Sequence, residues 1–502
     1  MRKIRILAVL LAVLVPFPAR SAGEKAALQA WADRVQEVKL ANGLKFLLYP
    51  RGEAPIFTAT IRFKAGGLDE EAGKTGLAHF LEHMAFKGTE RLGTKDYAKE
   101  KPILNEIEKT GEALAAEYRK GGKSDAAKIR TLREDLKGLH DKLVPLLEKE
   151  QLAKMMLENG GSDYNATTSK DMTTYYVSLP SDKIRFWAEI ESERIFKPVF
   201  REFYEEKDVV LEERRLRVDN DPDGRLYEAF IQTAFPEGPY HSPTIGSAQD
   251  VLGLTAGDLR AFFEKFYRPE NMSGAIVGRF DPGEVKKILE ETFGRVTFNG
   301  NAQPPETRPA AAVVLQEKER RVSLKLQARP RILIGYRKPT LPDDDDFVFD
   351  LIDQILGDGR SSRFYRSLVL EKRLAASVST STGIPGSRLP NLFMIEVSPL
   401  NDGTSGDVIK ALDEEIEKIR TEGVTERELT KAKNRLTVDL LWQLKTNEGL
   451  ASQLTYFETV AGNWRYLAEY LEKIGRFGPE DVRRVAQKYL QPGNRTVGVL
   501  EP

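Results

Sequence analysis

The sequence predicts an α+β protein of two homologous domains, each a mostly antiparallel β-sheet flanked by helices, with a helical-hairpin insertion in the first. Three observations predict it. Short apolar or alternating runs bounded by turn residues read as strands and are interleaved with amphipathic runs of helical period. Their order recurs in outline after a stretch rich in Asn, Gly, Gln and Pro, as an internal duplication would leave it. From Tyr97 to Leu157 the texture turns to a dense charged helical pattern that the second half lacks.

The chain opens with Arg2, Lys3 and Arg5, then an apolar run Ile6–Phe17, then Ala19-Arg20-Ser21-Ala22. That pattern reads as a signal peptide over 1–22, with an uncleaved anchor as the alternative, and sends the chain to the periplasm or outside the cell. No Cys follows the run, so a lipoprotein anchor is excluded. Residues 30–298 form the first domain. Val35–Leu40 and Leu44–Tyr49 read as a hairpin about Ala41-Asn42-Gly43, and Ile56–Phe63 as a third strand. A short helix follows Gly73-Lys74-Thr75-Gly76. In the insertion, 97–157, Ile129, Leu132, Leu136, Leu139, Leu143 and Leu146 recur at spacings of three and four, a heptad seam. Gly121-Gly122-Lys123-Ser124-Asp125 separates this arm from an earlier one bearing Leu104, Ile107, Leu114 and Tyr118. The pattern predicts an antiparallel coiled-coil hairpin standing off the domain, kinked at Pro145. β texture returns at 160–168 and in Met172–Leu179; helices are expected over Ser181–Arg194, Glu202–Val218, Thr255–Phe266 and Pro282–Phe293, and a strand over Met272–Val277.

A linker over 299–312 leads to the second domain, 313–502. Its strands are expected at Ile332–Arg337, Ala375–Thr382 and Leu392–Ser398, with helices at Asp344–Leu356, Gly406–Thr421, Thr425–Trp442, Asn463–Ile474 and Pro479–Tyr489. The helix Asp344–Leu356 takes the place of the short helix of the first half but carries no histidine.

The chain has no cysteine, which rules out disulfides and thiolate metal ligands. Lys plus Arg and Asp plus Glu balance at 76 each, so charge gives no argument for nucleic acid or an anionic membrane.

Two of the four histidines lie in His79-Phe80-Leu81-Glu82-His83. On a helix, positions i and i+4 share a face, so both imidazoles can converge on one metal, with Glu82 placed to reach a water beside it. The chemistry suggested is zinc-assisted hydrolysis; the plain alternative is a histidine pair beside a carboxylate. A catalytic zinc needs a third protein ligand. His140 lies in the insertion and His241 in a loop, and neither has a supporting context. The helix Phe203–Glu213 offers carboxylates, with Glu206 and Glu213 seven apart on one face.

Thr75–Thr89 (TGLAHFLEHMAFKGT), Tyr164–Tyr175 (YNATTSKDMTTY), Glu206–Glu213 and Tyr240–Gly246 (YHSPTIG) together resemble the pitrilysin/insulinase family of zinc metallopeptidases, the inverzincins. The resemblance spans nearly all the chain after its leader. It implies one zinc ion held by His79, His83 and Glu213, with Glu82 as general base and Glu206 supporting the ligands; Glu212 is the competing third ligand. It implies a substrate-binding edge strand at Asn165, Ala166 and Thr167, peptides or unfolded segments as substrates, and paired halves enclosing a chamber. The interval from His83 to Glu213 exceeds the family's usual one by about the length of the hairpin insertion.

The resemblance fails at one place. Active members complete the site with Arg and Tyr in a second-half segment resembling Leu-Arg-x-x-x-x-Leu-x-Tyr, whereas Leu368–Ala376 carries Val369 and Ala376 at those positions, with Arg366 and Arg373 nearby. Family heterodimers divide these roles between subunits, so the resemblance implies that a homologous subunit supplies an Arg/Tyr pair. A binding or assembly protein that has kept a metal site is the alternative.

Overall fold

The computed structural model describes residues 30–298, 312–400 and 404–502. The expected signal peptide, 1–22, and the expected linker, except residue 312, lie outside the described residues. Among those described, no helix is long and apolar enough to cross a membrane.

The first half contributes strands β1 (Gln36–Lys39), β2 (Lys45–Pro50), β3 (Ile56–Phe63), β4 (Ser162–Thr168), β5 (Thr173–Pro180) and β6 (Met272–Gly278), in the spatial order β1-β2-β6-β3-β5-β4. The second contributes β7 (Arg320–Lys325), β8 (Arg331–Lys338), β9 (Ala375–Ile384), β10 (Asn391–Pro399) and β11 (Arg495–Glu501), ordered β7-β11-β8-β10-β9. Each sheet has one parallel pair, β2 with β6 and β7 with β11, and is otherwise antiparallel. Removing β1 makes the two orders correspond strand for strand. The duplication expected from the element order is therefore present in the topology, and β4 and β9 are equivalent edges.

The helices that follow from residue 77 through the first half are α1 (Leu77–Met84), α2 (Tyr97–Arg119), α3 (Ala126–Leu143), α4 (Gln151–Glu158), α5 (Ile184–Phe196), α6 (Phe203–Arg214), α7 (Pro222–Ala234), α8 (Ala248–Gly253), α9 (Ala256–Phe266) and α10 (Pro282–Glu291). The second half adds α11 (Asp344–Leu356), α12 (Ser405–Thr421), α13 (Glu426–Gln443), α14 (Asn447–Ala461), α15 (Tyr466–Arg476) and α16 (Pro479–Tyr489).

Strand β3 shows how the halves are joined. Phe57, Ala59, Ile61 and Phe63 enter the core beneath the helices of their own half. Thr58, Thr60 and Arg62 alternate with them and are buried too. They are covered by α14 of the other half, where Ser452 accepts hydrogen bonds from Arg62 through its carbonyl and hydroxyl, both at 3.2 Å. The same helix packs Leu450, Leu454 and Phe457 on Leu47, Tyr49, Ala275 and Val277. Reciprocally, Leu226 and Phe230 of α7 pack on Leu333, Leu392 and Leu500 of the second sheet. Each sheet is thus covered on its second face, over its central strands, by a helix of the other half. The sequence reading assigns no element to α7, α8, α14, β7 or β11.

The insertion is a hairpin, α2 and α3 joined at 121–123, but it does not stand off the domain. Ile107, Leu114, Leu136, Leu139 and Leu143 belong to the main core of the first half. Gly111 permits the docking: a Cβ there would sit 1.8 Å from the Tyr204 ring of α6. Pro145 does not kink the second arm; α3 stops at Leu143 and Pro145 occupies the 3₁₀ turn after it.

Candidate metal centre

Helix α1 starts at Gly76, whose φ of +94° suits glycine, and a Cβ there would lie 2.8 Å from the Ile245 carbonyl oxygen. The Glu70 carboxylate caps the helix, accepting the N–H groups of Gly76 at 2.9 Å and Ala78 at 2.8 Å. The loop behind Gly76 also anchors α6, because Arg214 donates to the Gly246 carbonyl at 2.8 Å. One loop therefore fixes both helices that carry the site.

The Nε2 atoms of His79 and His83 each lie 3.6 Å from Oε2 of Glu213, and one ligand atom from each of the three residues falls within 4.8 Å of the others. Ligands around a tetrahedral zinc, bonded at ~2 Å, stand about 3.3 Å apart, so this donor set fits zinc and leaves a position open. Glu206 accepts from His83 Nδ1 at 2.9 Å, orienting the ring so that Nε2 faces Glu213. Lys87 fixes Glu206 at 2.6 Å. Arg217 holds the other Glu213 oxygen at 2.7 Å. His79 Nδ1 is buried without a hydrogen-bond partner. Glu212 turns outward and pairs with Arg215. His140 lies beside Glu205 at 3.1 Å and His241 beside the Phe235 carbonyl at 2.9 Å; neither joins the cluster.

Burial, with His83 and Arg217 adding repulsion, pushes the His79 pKa down to about 3 and keeps it neutral, the form that binds metal. Burial would raise the Glu206 carboxyl, but hydrogen bonds from His83 and Lys87 outweigh it and hold the group at about 2. Burial raises Glu82, partly opposed by the Thr168 hydroxyl, which donates to its Oε2 at 2.6 Å. Thr168, Lys87, Arg217 and Glu70 escape the sequence reading, although Lys87 and Arg217 each lie four residues beyond a ligand, a spacing that places them on the same helix face.

Asn165, Ala166 and Thr167 lie on β4, the outer edge of the first sheet, with Ala166 buried and the other two exposed. In the second half, α11 presents Asp350 and Asp353 and no histidine. Val369 is half-buried against the second core, Ala376 is exposed on β9, and Arg366 and Arg373 are exposed.

Residues 48–122 and 147–248 match the family model described as insulinase, peptidase family M16, and 253–436 match that described as the peptidase M16 inactive domain. The zinc protease PqqE of Helicobacter pylori is 26% identical over 94% of each chain. Among solved structures, a protease from Helicobacter pylori superposes with a TM-score of 0.77 at 23% identity, covering 93% of this chain and 99% of that one. An M16 inactive domain from Pseudomonas fluorescens gives 0.73 at 18%, covering 93% and 98%.

Proposed function

The chain belongs to the insulinase family, peptidase family M16, and from that premise we propose that it is an exported zinc-dependent endopeptidase acting on peptides or unfolded segments. The observation that carries the reading is the convergence of His79, His83 and Glu213 within 4.8 Å. These three residues would hold the ion, and zinc bound there supplies polarisation of the scissile carbonyl and acidifies water.

Glu82 takes the proton from the attacking water and passes it to the leaving amine. Thr168 fixes one Glu82 oxygen and leaves the other for water, and burial makes the carboxylate a stronger base than one in solvent. The exposed edge of β4 accepts a peptide as an added strand, with Asn165, Ala166 and Thr167 supplying main-chain hydrogen bonds. A folded substrate has no free extended segment to offer.

Val369 and Ala376 offer no side-chain donor to the tetrahedral oxyanion, a contribution commonly worth ~3–4 kcal/mol. We assign that role to an Arg/Tyr pair from a homologous subunit, making this chain the zinc-bearing member of a heterodimer. The same lack of donors favours a second reading, a binding or assembly protein with a retained metal site. Zinc content and cleavage of unstructured peptides by the chain, alone and mixed with a homologous subunit, test both. The heterodimer reading expects zinc in the isolated chain and a large rate gain on mixing, and equal rates refute it. Glu82→Gln abolishes cleavage under the enzyme reading and leaves partner binding intact under the other.

A further inference from the structure

The half matched by the inactive-domain model contributes nothing to the metal cluster, yet its β9–β10 loop, residues 385–390, reaches the turn beside Thr168. Arg388 donates to both oxygens of Asp69, at 2.7 and 3.1 Å, and to the Asp171 carbonyl at 3.0 Å. The Asp171 carboxylate accepts the N–H of Ser387, that of Arg388 at 3.4 Å and the Tyr240 hydroxyl at 3.2 Å; the Tyr240 oxygen in turn accepts the Leu389 N–H at 3.1 Å. Gly386 makes room for that carboxylate, since a Cβ there would lie 2.6 Å from its Oδ1. Asp171 belongs to the turn 169–172 between β4 and β5, which begins directly after Thr168, and the Thr168 hydroxyl donates to Glu82 at 2.6 Å. We infer that Arg388 is a positioning residue for the general base, holding this turn so that Thr168 meets Glu82; the inference rests on the peptidase reading above.

The sheet gives Thr168 little support of its own. β4 is an edge strand paired on one side, its register with β5 shifts between Ser162 and Asn165, and continuous pairing covers only Asn165–Thr168. The turn therefore decides where the end of β4 sits. Along that turn, Gly67 and Leu68 donate to the carbonyls of Ser169 at 3.1 Å and Lys170 at 2.8 Å, and Asp69 follows them. Arg388 thus ties the turn and the segment lying beside it with one planar group. A guanidinium suits the task because its fork serves a carboxylate and a carbonyl at once, whereas an ammonium acts as a point charge. The side chains of Asp69 and Asp171 are almost wholly buried, so salt screens the contact little.

The test uses the full zinc-loaded chain: peptide cleavage is read alone and mixed with a homologous subunit, and zinc affinity and amide hydrogen exchange on the chain alone. Arg388→Lys keeps the charge and loses the fork. It should lower kcat roughly tenfold while KM and zinc affinity stay within about threefold of wild type, and it should speed exchange in 165–172 but not in 203–214. Thr168→Val should lower kcat at least as much. Adding Arg388→Lys to Thr168→Val should then cost less than about twofold more, because the path from Arg388 to Glu82 is already cut. Gly386→Ala crowds Asp171 from the same loop and should repeat the Arg388→Lys pattern, which keeps the test open if the arginine variant fails to fold. Losses that multiply in the double variant, zinc affinity that falls in step with kcat, or unchanged exchange in 165–172 overturns the assignment. A wild type that cleaves nothing, with exchange in 165–172 still raised by Arg388→Lys, would reject the peptidase and its base and retain the hold on the turn. Cleavage unaffected by Arg388→Lys would do the reverse.

Discussion

Replacing Glu206 by glutamine changes one charge next to the metal helix and leaves the ligands themselves in place. Glu206 accepts from His83 Nδ1 at 2.9 Å and from Lys87 at 2.6 Å. Glutamine can still accept from the imidazole, so the ring keeps a partner, but the anion that strengthens it as a donor to metal is gone. Lys87 is left with Glu202 at 3.8 Å, too far for a strong hydrogen bond. Loss of such an outer partner typically lowers metal affinity ~10–100-fold, or about 1.4–2.7 kcal/mol. Competition against a chromophoric zinc chelator at fixed pH measures it directly and needs no peptidase activity. Glu212→Gln is the control, since Glu212 faces outward to Arg215. Zinc affinity of the Glu206 variant within twofold of wild type, or an equal loss in the Glu212 variant, would refute the assignment of Glu206 as the group that orients His83.

Three further outcomes concern the scaffold. Gly111→Ala drives a methyl into the Tyr204 ring 1.8 Å away and should destabilise by about 1–3 kcal/mol despite the better helix propensity of alanine; recovery in the double variant with Tyr204→Leu identifies the clash, and a neutral single variant would sink it. Leu454→Ala, in the fully buried seam between α14 and the first sheet, should cost about 2–5 kcal/mol and lower one shared unfolding transition; if only the second half loses stability, the halves are not coupled as described. Burial, partly opposed by Thr380, lifts Asp353 to about 6. A folded pKa above the unfolded one near 4 gives stability that is full below about pH 4 and lost as pH rises through about 6. Asp353→Asn should therefore be the more stable protein at pH 8, by about 3 kcal/mol at most, and lose that advantage near pH 4; denaturant titrations at the two pH values decide it, and a pH-independent difference counts against the burial argument.

The elements easiest to read in the sequence were those whose pattern answers to local forces. Thr255 and Asp258 form a capping box at the start of α9, and the run from Asp344 to Leu356 becomes a helix over the same residues. Alternation in β3 predicts a strand, yet it suggests that Thr58, Thr60 and Arg62 face water. They are buried because α14 arrives from more than 380 residues away, a contact that no local period records. The hairpin shows the same limit: its leucine seam predicts two paired arms, while Gly111, a weakness in any isolated helix, is what lets them dock on Tyr204.

For the site, spacing alone puts His79, Glu82 and His83 on one helix face, because the period of the α-helix fixes it. The meeting of that face with Glu213, 130 positions beyond His83, depends on the loop at Gly246 that ties α1 to α6 and on a hairpin whose ends return to neighbouring points. Sequence determined which groups can bind a metal and move a proton. Tertiary structure decided their distances and the contacts of Glu206 with His83 and Lys87 and of Thr168 with Glu82, since each joins segments whose separation along the chain carries no trace of their proximity in space.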